Sequence, residues 1–216
     1  MAIRFSSPNQ PPPPQPVHFI LASQSVGRRT LLEKFGLRFR VAVARIDEEA
    51  IQDKDPVIML RKRAAAKLSE IIDHPRVYMI NDEAKTIVIA ADSMALLGKK
   101  TFGKSRDREH TKEMLRSLMD RTHTFVTAIA IAVMDGGKIV KRWEKQEKTS
   151  VTLRKLNSTE LEQYVNRYDF TRFAAGYALN DTPWDLVVKV DGSYTNVVGL
   201  PFEVLLPILR NLKVIE

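Results

Sequence analysis

The 216-residue sequence contains no cysteine, which excludes disulfide frameworks, thiolate nucleophiles and cysteine-ligated zinc sites. It has only four histidines, and their scattered positions (18, 74, 110 and 123) favour neither a histidine metal site nor a serine triad. The longest apolar runs, such as residues 128–134, are far shorter than the ~20 residues that cross a bilayer, and no signal-peptide pattern opens the chain. We therefore expect a soluble, cytoplasmic protein with no membrane partner.

Positive charge is in excess, with 34 Lys and Arg against 26 Asp and Glu and a net charge of +8. Such a balance favours anionic partners, either nucleic acids or small phosphorylated ligands. Aromatic residues make up only 7 % of the chain, and most phenylalanines lie in apolar runs rather than among basic residues. Because single strands bind through stacked aromatics, nucleic acid is the less favoured partner.

Six of the eleven prolines fall within residues 1–16, which predicts a disordered proline-rich tail before a single domain over residues 17–216. In that domain, apolar runs and helical spacings mix without strict alternation. The pattern predicts an α/β fold with a mixed sheet and flanking helices. The expected strands are 18–22, 38–43, 86–91, 125–134, 139–151 and 186–190, and the expected helices are 31–35, 57–72, 107–118, 158–164 and 200–212.

A candidate phosphate site lies where the first strand meets the first helix. Ser25, Arg28 and Arg29 stand there, and a helix N-terminus offers free N–H groups to an anion. Asp92 ends the most apolar strand, at the edge where α/β proteins gather ligands. Asp47 and Glu48 follow the second strand and could supply oxygen ligands for Mg²⁺.

Residues 98–105, Gly-Lys-Lys-Thr-Phe-Gly-Lys-Ser, match the P-loop spacing of nucleotide-triphosphate-binding proteins. A true P-loop requires a strand running into Gly98 and a helix beginning at Lys104, with Asp135 as a Mg²⁺-binding residue. The alternative is a hairpin turn at Gly98 and Lys99 that brings Lys104 back towards Asp92. The pattern alone leaves both open.

Several segments together resemble the Maf family of septum-formation-type nucleoside triphosphate pyrophosphatases, in order and spacing from about residue 18 to 212. These segments are Leu21–Ser25 with Arg28–Leu32, Ala91–Ser93, Phe102–Lys104, His123–Thr127, Ala175–Tyr177 and Asn196–Pro201. The resemblance implies a fold shared with inosine-triphosphate pyrophosphatases, a homodimer and a divalent cation, Mg²⁺ or Mn²⁺. It also implies hydrolysis of the α–β phosphoanhydride to nucleoside monophosphate and pyrophosphate.

The resemblance also assigns roles to residues. Asp92 would accept the proton of water, and Arg28 and Lys104 would stabilise charge on the phosphates. Asp47 and Glu48 would hold the metal. The remaining substrate-binding candidates are Ser25, Gly27, Arg29, Arg63, Lys67, Ser93 and Asn180.

Departures from the family pattern concern base choice and two lysines. Ala64 stands at the likeliest position of a basic-helix lysine, with Arg63 or Lys67 as neighbouring substitutes. Gly27, Ser93 and Asn180 stand where pyrimidine-preferring members carry arginine, threonine and glutamine, and Phe173 replaces a lysine. An asparagine amide suits the edge of uracil or thymine, so the resemblance favours pyrimidine or modified nucleotides. The competing hypothesis is a non-catalytic, nucleic-acid-binding or division-regulating protein.

Overall fold

The computed structural model describes residues 17–179 and 186–215. Its strands are β1 (Val17–Leu21), β2 (Arg40–Val41), β3 (Lys85–Leu97), β4 (Lys100–Phe102), β5 (Thr122–Asp135), β6 (Lys138–Leu153) and β7 (Val187–Asp191). Its helices are α1 (Val26–Lys34), α2 (Pro56–Asp73), α3 (Arg108–Leu118), α4 (Ser158–Arg167), α5 (Tyr194–Val198) and α6 (Phe202–Asn211).

These strands form one seven-stranded mixed sheet in the order β2-β1-β3-β5-β6-β7, with β4 paired to the far end of β3. Strand β1 runs parallel to β2 and β3, and the pairs β3–β5, β5–β6 and β6–β7 are antiparallel. The predicted class, a mixed sheet with flanking helices, is confirmed. The single-domain boundary stays a prediction, and residues 1–16, 180–185 and Glu216 lie outside the described residues.

Helices cover both faces of the central strands, which is why β3 and β5 are continuously apolar rather than alternating. Helix α2 packs on one face, where Leu60 and Leu68 contact a cluster that includes Val88. Helices α1 and α6 pack on the other face around Ile89. A third cluster joins α3 and α4 to the end of the sheet near Phe102.

The predicted hairpin between β5 and β6 is confirmed, and its turn is Gly136–Gly137. Both glycines have positive φ, 55° and 72°, which a two-residue hairpin turn of this kind requires. Asp135 pairs with Lys138 beside this turn.

The P-loop alternative is wrong. Gly98 and Lys99 form the turn between β3 and β4, since Leu97 pairs with Lys100. Helix α3 begins only at Arg108, with Asp107 as its N-cap, so no helix opens at Lys104.

Other boundaries differ because long-range pairing decides them. The predicted strand 38–43 shortens to Arg40–Val41, since only these two residues pair with β1. The helix expected from residue 200 begins at Phe202, and a separate short helix, α5, precedes it and ends at Gly199 in the left-handed region. Among the described residues, no helix is both long and apolar enough to span a membrane.

Candidate active site

A cleft of about 600 Å³ opens along β3, between the end of its pairing with β1 at Ile89 and the start of its pairing with β4 at Ala95. This volume is typical of small-molecule sites. The lining residues that bear on chemistry are Ser23, Gln24, Ser25, Arg28, Glu48, Glu49, Gln52, Arg63, Lys67, Asp92, Ser93, Lys104, Phe125, Arg172, Phe173, Tyr177 and Gly199.

Lys67 joins two carboxylates at one end of the cleft. It lies on α2 and is only 8 % exposed, so its charge needs compensation. Its Nζ lies 2.9 Å from Asp92 Oδ1 and 2.6 Å from Glu48 Oε2. Lys67 thereby ties the loop that carries Glu48 to strand β3, and each carboxylate retains a second oxygen outside these contacts.

Arg28 is held by the protein on all sides. Its Nε donates to the Gly199 carbonyl at 2.8 Å, and its Nη1 donates to Ser23 Oγ and to the Ala91 carbonyl. Its Nη2 donates to Ser93 Oγ at 2.9 Å. These bonds use four of the five guanidinium N–H groups, so Arg28 mainly fixes the start of α1 against β3 and the end of α5.

The pKa of Arg28 depends on the burial of its side chain and on two nearby carboxylates. The side chain is 7 % exposed, and burial lowers its pKa, while the negative charges of Asp92 and Glu48 oppose that shift. An arginine stays protonated under such a shift because its ordinary pKa is far above neutrality. The cleft therefore keeps a fixed positive charge behind Ser93.

Three further cations reach the cleft. Arg63 Nε donates to the Ile51 carbonyl at 3.2 Å, which holds Arg63 beside the Glu48 loop. Lys104 forms a backbone bridge with Ala174, so the hairpin does return Lys104 to the cleft that contains Asp92. The same bridge brings in Arg172, which the sequence did not single out.

Three aromatic side chains also line the cleft and form its apolar wall: Phe125, Phe173 and Tyr177. His123, behind the wall, contacts the Tyr177 hydroxyl through Nε2 at 2.7 Å. Burial lowers the pKa of His123 to about 4 and raises that of Tyr177, so both are neutral at physiological pH. Phe173 is partly exposed and adds aromatic surface to the cleft.

Three predicted residues do not line the cleft within the described residues. Arg29 is exposed and pairs with Glu33 at 3.5 Å. Gly27 is buried, and a Cβ added there would lie 2.7 Å from the Val198 carbonyl oxygen, so it serves the close approach of α1 to α5. Asp47 accepts backbone N–H bonds within its own loop through Oδ1. Asn180 lies outside the described residues.

The structure brings together the other predicted residues: Ser25, Arg28, Glu48, Arg63, Lys67, Asp92, Ser93 and Lys104. Sequence reasoning missed Gln52 and Arg172, for which no local pattern gave a signal, and Gln24, although it lies within the Leu21–Ser25 segment of the resemblance. It also missed Thr127, which bonds to Ser93, although that threonine ends the His123–Thr127 segment of the resemblance.

Comparison with known proteins places the chain in a family. The model of the family described as Maf-like protein matches residues 18–212. The dTTP/UTP pyrophosphatase of Pelotomaculum thermopropionicum is 34 % identical over 191 residues, which cover 88 % of this chain and 94 % of that protein. The dTTP/UTP pyrophosphatases of Thermosipho africanus and Pyrococcus furiosus are 33 % and 34 % identical, covering 91 % and 88 % of this chain and 94 % and 93 % of their own.

Among solved structures, a HAM1 protein from Coxiella burnetii aligns with a TM-score of 0.44 and 13 % identity, over 92 % of this chain and 100 % of that chain. The family match extends over nearly all of the described residues, and the relatives align over most of their own length. This chain belongs to the Maf-like protein family.

Proposed function

We propose that the cleft binds a nucleoside triphosphate and hydrolyses its α–β phosphoanhydride, giving nucleoside monophosphate and pyrophosphate. The observation that carries the proposal is that five cationic side chains line the same cleft as the carboxylate of Asp92: Arg28, Arg63, Lys67, Lys104 and Arg172. Such a site suits a polyanion that must be attacked by water. The names of the relatives support the same activity.

Asp92 is the candidate general base. Its side chain is 14 % exposed, and Lys67 holds Oδ1, so Oδ2 is the oxygen that would take the proton of a water molecule. The water oxygen then bonds to the α-phosphorus as the bond to the bridging oxygen breaks. Pyrophosphate leaves with the electron pair of that bond.

Negative charge increases on the phosphate oxygens during this step, and the cationic side chains stabilise it. Lys104 and Arg172 contribute charge from the hairpin side and Lys67 from α2. The first turn of α1 adds free N–H groups next to Ser25, its N-cap. Arg28 contributes its fixed charge, with most of its donors already bonded to protein.

A divalent cation, Mg²⁺ or Mn²⁺, fits the carboxylates that line the cleft together with the phosphates of a bound substrate. Within residues 17–179 and 186–215, no group of three or more His, Cys, Asp and Glu is placed to hold a metal. A metal would therefore take most of its ligands from substrate phosphates and water, as Mg²⁺ commonly does. Glu48 and its neighbour Glu49 line the cleft and would supply the protein oxygens, whereas Asp47 does not face it. The metal would supply Lewis-acid charge to the phosphates.

For the base, we propose a preference for uridine or thymidine triphosphates. Phe173 is the partly exposed residue of the apolar wall, beside the buried Phe125 and Tyr177, and offers aromatic surface to a planar base. The relatives are named for these nucleotides. On the basis of the family resemblance, we also propose that the protein is a homodimer and is located in the cytoplasm. Light scattering of the purified protein tests the dimer.

Product analysis tests the reaction. The protein is incubated with a panel of nucleoside triphosphates and Mg²⁺, Mn²⁺ or EDTA, and the products are separated. We expect monophosphate and pyrophosphate in equal amounts, with UTP or dTTP preferred and EDTA abolishing turnover. Diphosphate with orthophosphate, or no product together with salt-sensitive nucleic-acid binding, would contradict the proposal. Replacing Glu48 by Gln should raise the Mg²⁺ concentration required, whereas Asp47→Asn, the matched control, should not.

A further inference from the structure

One ammonium group joins the two carboxylates on which the proposed chemistry depends. Lys67 Nζ lies 2.6 Å from Glu48 Oε2 and 2.9 Å from Asp92 Oδ1. The Lys67 side chain is 10 % exposed and that of Asp92 is 14 % exposed, whereas that of Glu48 is 46 % exposed. The positive charge of Lys67 therefore lies within the cleft wall, and Glu48 is the more accessible of its two partners.

A divalent cation on Glu48 would compete with Lys67. Mg²⁺ binds carboxylate oxygens at about 2.1 Å, and Lys67 Nζ already lies 2.6 Å from Glu48 Oε2. An ion bound to this carboxylate would place its two positive charges next to the ammonium, at a site that solvent screens only weakly. Lys67 is buried and also paired with Asp92, so it does not retreat into open water. The two cations therefore exclude each other unless negative charge is added.

The charges along the cleft show what could supply that negative charge. Five cationic side chains line the cleft of the described residues, as given above, against three carboxylates: Glu48, Glu49 and Asp92. These carboxylates do not outnumber the cations, so they leave no excess negative charge for a divalent ion. The triphosphate of a nucleotide brings this excess, and its oxygens are themselves metal ligands.

We infer that Lys67 is an internal counter-ion that keeps a divalent cation out of the nucleotide-free cleft, so that the metal enters together with the nucleotide. The inference rests on the proposed function, through the assignment of Glu48 as a metal ligand. It makes Lys67 a positioning residue that acts through Glu48. It also keeps Asp92 free of metal before substrate binds, since the ammonium holds Oδ1 and Oδ2 stays available to a water molecule.

Binding of Mn²⁺ to the nucleotide-free protein tests the inference without any turnover. Free Mn²⁺ is measured by electron paramagnetic resonance, because the signal of the free ion falls when the ion binds. Lys67→Met removes the charge and keeps an unbranched side chain, and it should bind Mn²⁺ at least about tenfold more tightly than the wild type. Lys67→Arg keeps the charge and should bind Mn²⁺ as weakly as the wild type. Equal affinity in the wild type and Lys67→Met would overturn the inference.

The matched control is Lys104→Met. Lys104 lines the same cleft but takes no part in the pairing of Lys67 with Glu48 and Asp92. It removes the same charge from the cleft and should leave Mn²⁺ affinity within about threefold of the wild type. An equal gain in both lysine variants would overturn the inference, because net charge alone would then set the affinity.

A double variant identifies the carboxylate. Adding Glu48→Gln to Lys67→Met should return Mn²⁺ affinity to the level of the wild type, and tight binding that persists would overturn the inference. Where methionine at position 67 impairs folding, Lys67→Gln replaces it in both tests. Glutamine is uncharged but can still donate to the Asp92 carboxylate.

The analogue α,β-methylene-UTP separates this inference from the proposed function, since its α–β linkage resists hydrolysis. Calorimetry measures its binding to the wild type with and without Mn²⁺, and Mn²⁺ should tighten that binding. If the analogue does not bind, the proposed function is overturned, and the Mn²⁺ comparison of the lysine variants still decides the role of Lys67. If the analogue binds but the nucleotide-free wild type also binds Mn²⁺ as tightly as Lys67→Met does, only the inference is overturned.

Discussion

The buried His123 behind the cleft wall makes the stability of this fold depend on pH. It is 2 % exposed, its Nε2 contacts the Tyr177 hydroxyl, and its Nδ1 has no partner among the described residues. Burial lowers its pKa from 6.5 to about 4. In the unfolded chain the imidazole takes a proton near pH 6.5, so between pH 6.5 and 4 the unfolded state binds more protons. Stability is therefore full above pH 6.5 and falls as the pH drops towards 4.

The size of the effect follows from these two pKa values. Between pH 7.5 and pH 5, His123 alone should lower the free energy of unfolding by about 2 kcal/mol. Urea denaturation at both pH values is compared for the wild type and His123→Gln, whose amide can still donate to Tyr177 but does not titrate. Carboxylates titrate in both proteins and cancel in the comparison. We expect the wild type to lose about 2 kcal/mol more than the variant. Equal losses would refute the reasoning, because they would mean that His123 does not change its proton affinity on folding.

Three further substitutions test the site and its frame. Asp92→Asn should lower kcat by ~10²–10⁴ while a nucleotide still binds, since the amide keeps the shape but accepts no proton; near-normal turnover would remove Asp92 as the base. Lys104→Ala should lower kcat/KM about tenfold or more through lost charge on the phosphates, and unchanged kinetics would leave Lys104 as a surface residue of the hairpin. Gly27→Ala should cost about 1–3 kcal/mol of stability, because its Cβ would lie 2.7 Å from the Val198 carbonyl oxygen; an unchanged Tm would show that α1 and α5 separate freely.

The sequence by itself determined the class of fold and the family. Apolar runs without polar alternation predicted the central strands. Such runs are found in β3 and β5 because helices cover both faces of these strands. Gly136 and Gly137 predicted the long hairpin, because glycine adopts the positive φ of such a turn with the least steric strain. The ordered segments from Leu21 to Pro201 were enough to indicate the family that the comparison showed.

Short sequence motifs gave wrong predictions where the structure of the segment depends on neighbouring strands and helices. Residues 98–105 have the spacing of a P-loop, yet they form a hairpin turn and its return strand, because Leu97 and Lys100 pair antiparallel. Asp47 and Glu48 are neighbours with the same chemistry, but only Glu48 reaches Lys67. Loop geometry, which sequence spacing does not encode, separates their roles.

Only the tertiary structure decided what the site residues do to one another. Arg28 and Gly199 are 171 positions apart, and Ser93 and Thr127 are 34 apart, so their bonds exist only because strand pairing and helix packing bring them together. The position of Arg28 in the sequence predicted a phosphate contact. In the folded chain, most of the N–H groups of Arg28 donate to backbone carbonyls and serine hydroxyls of the protein. Which donors and acceptors meet at Arg28 and Ser93 is therefore a property of the fold, because the partners lie on elements far apart in the sequence.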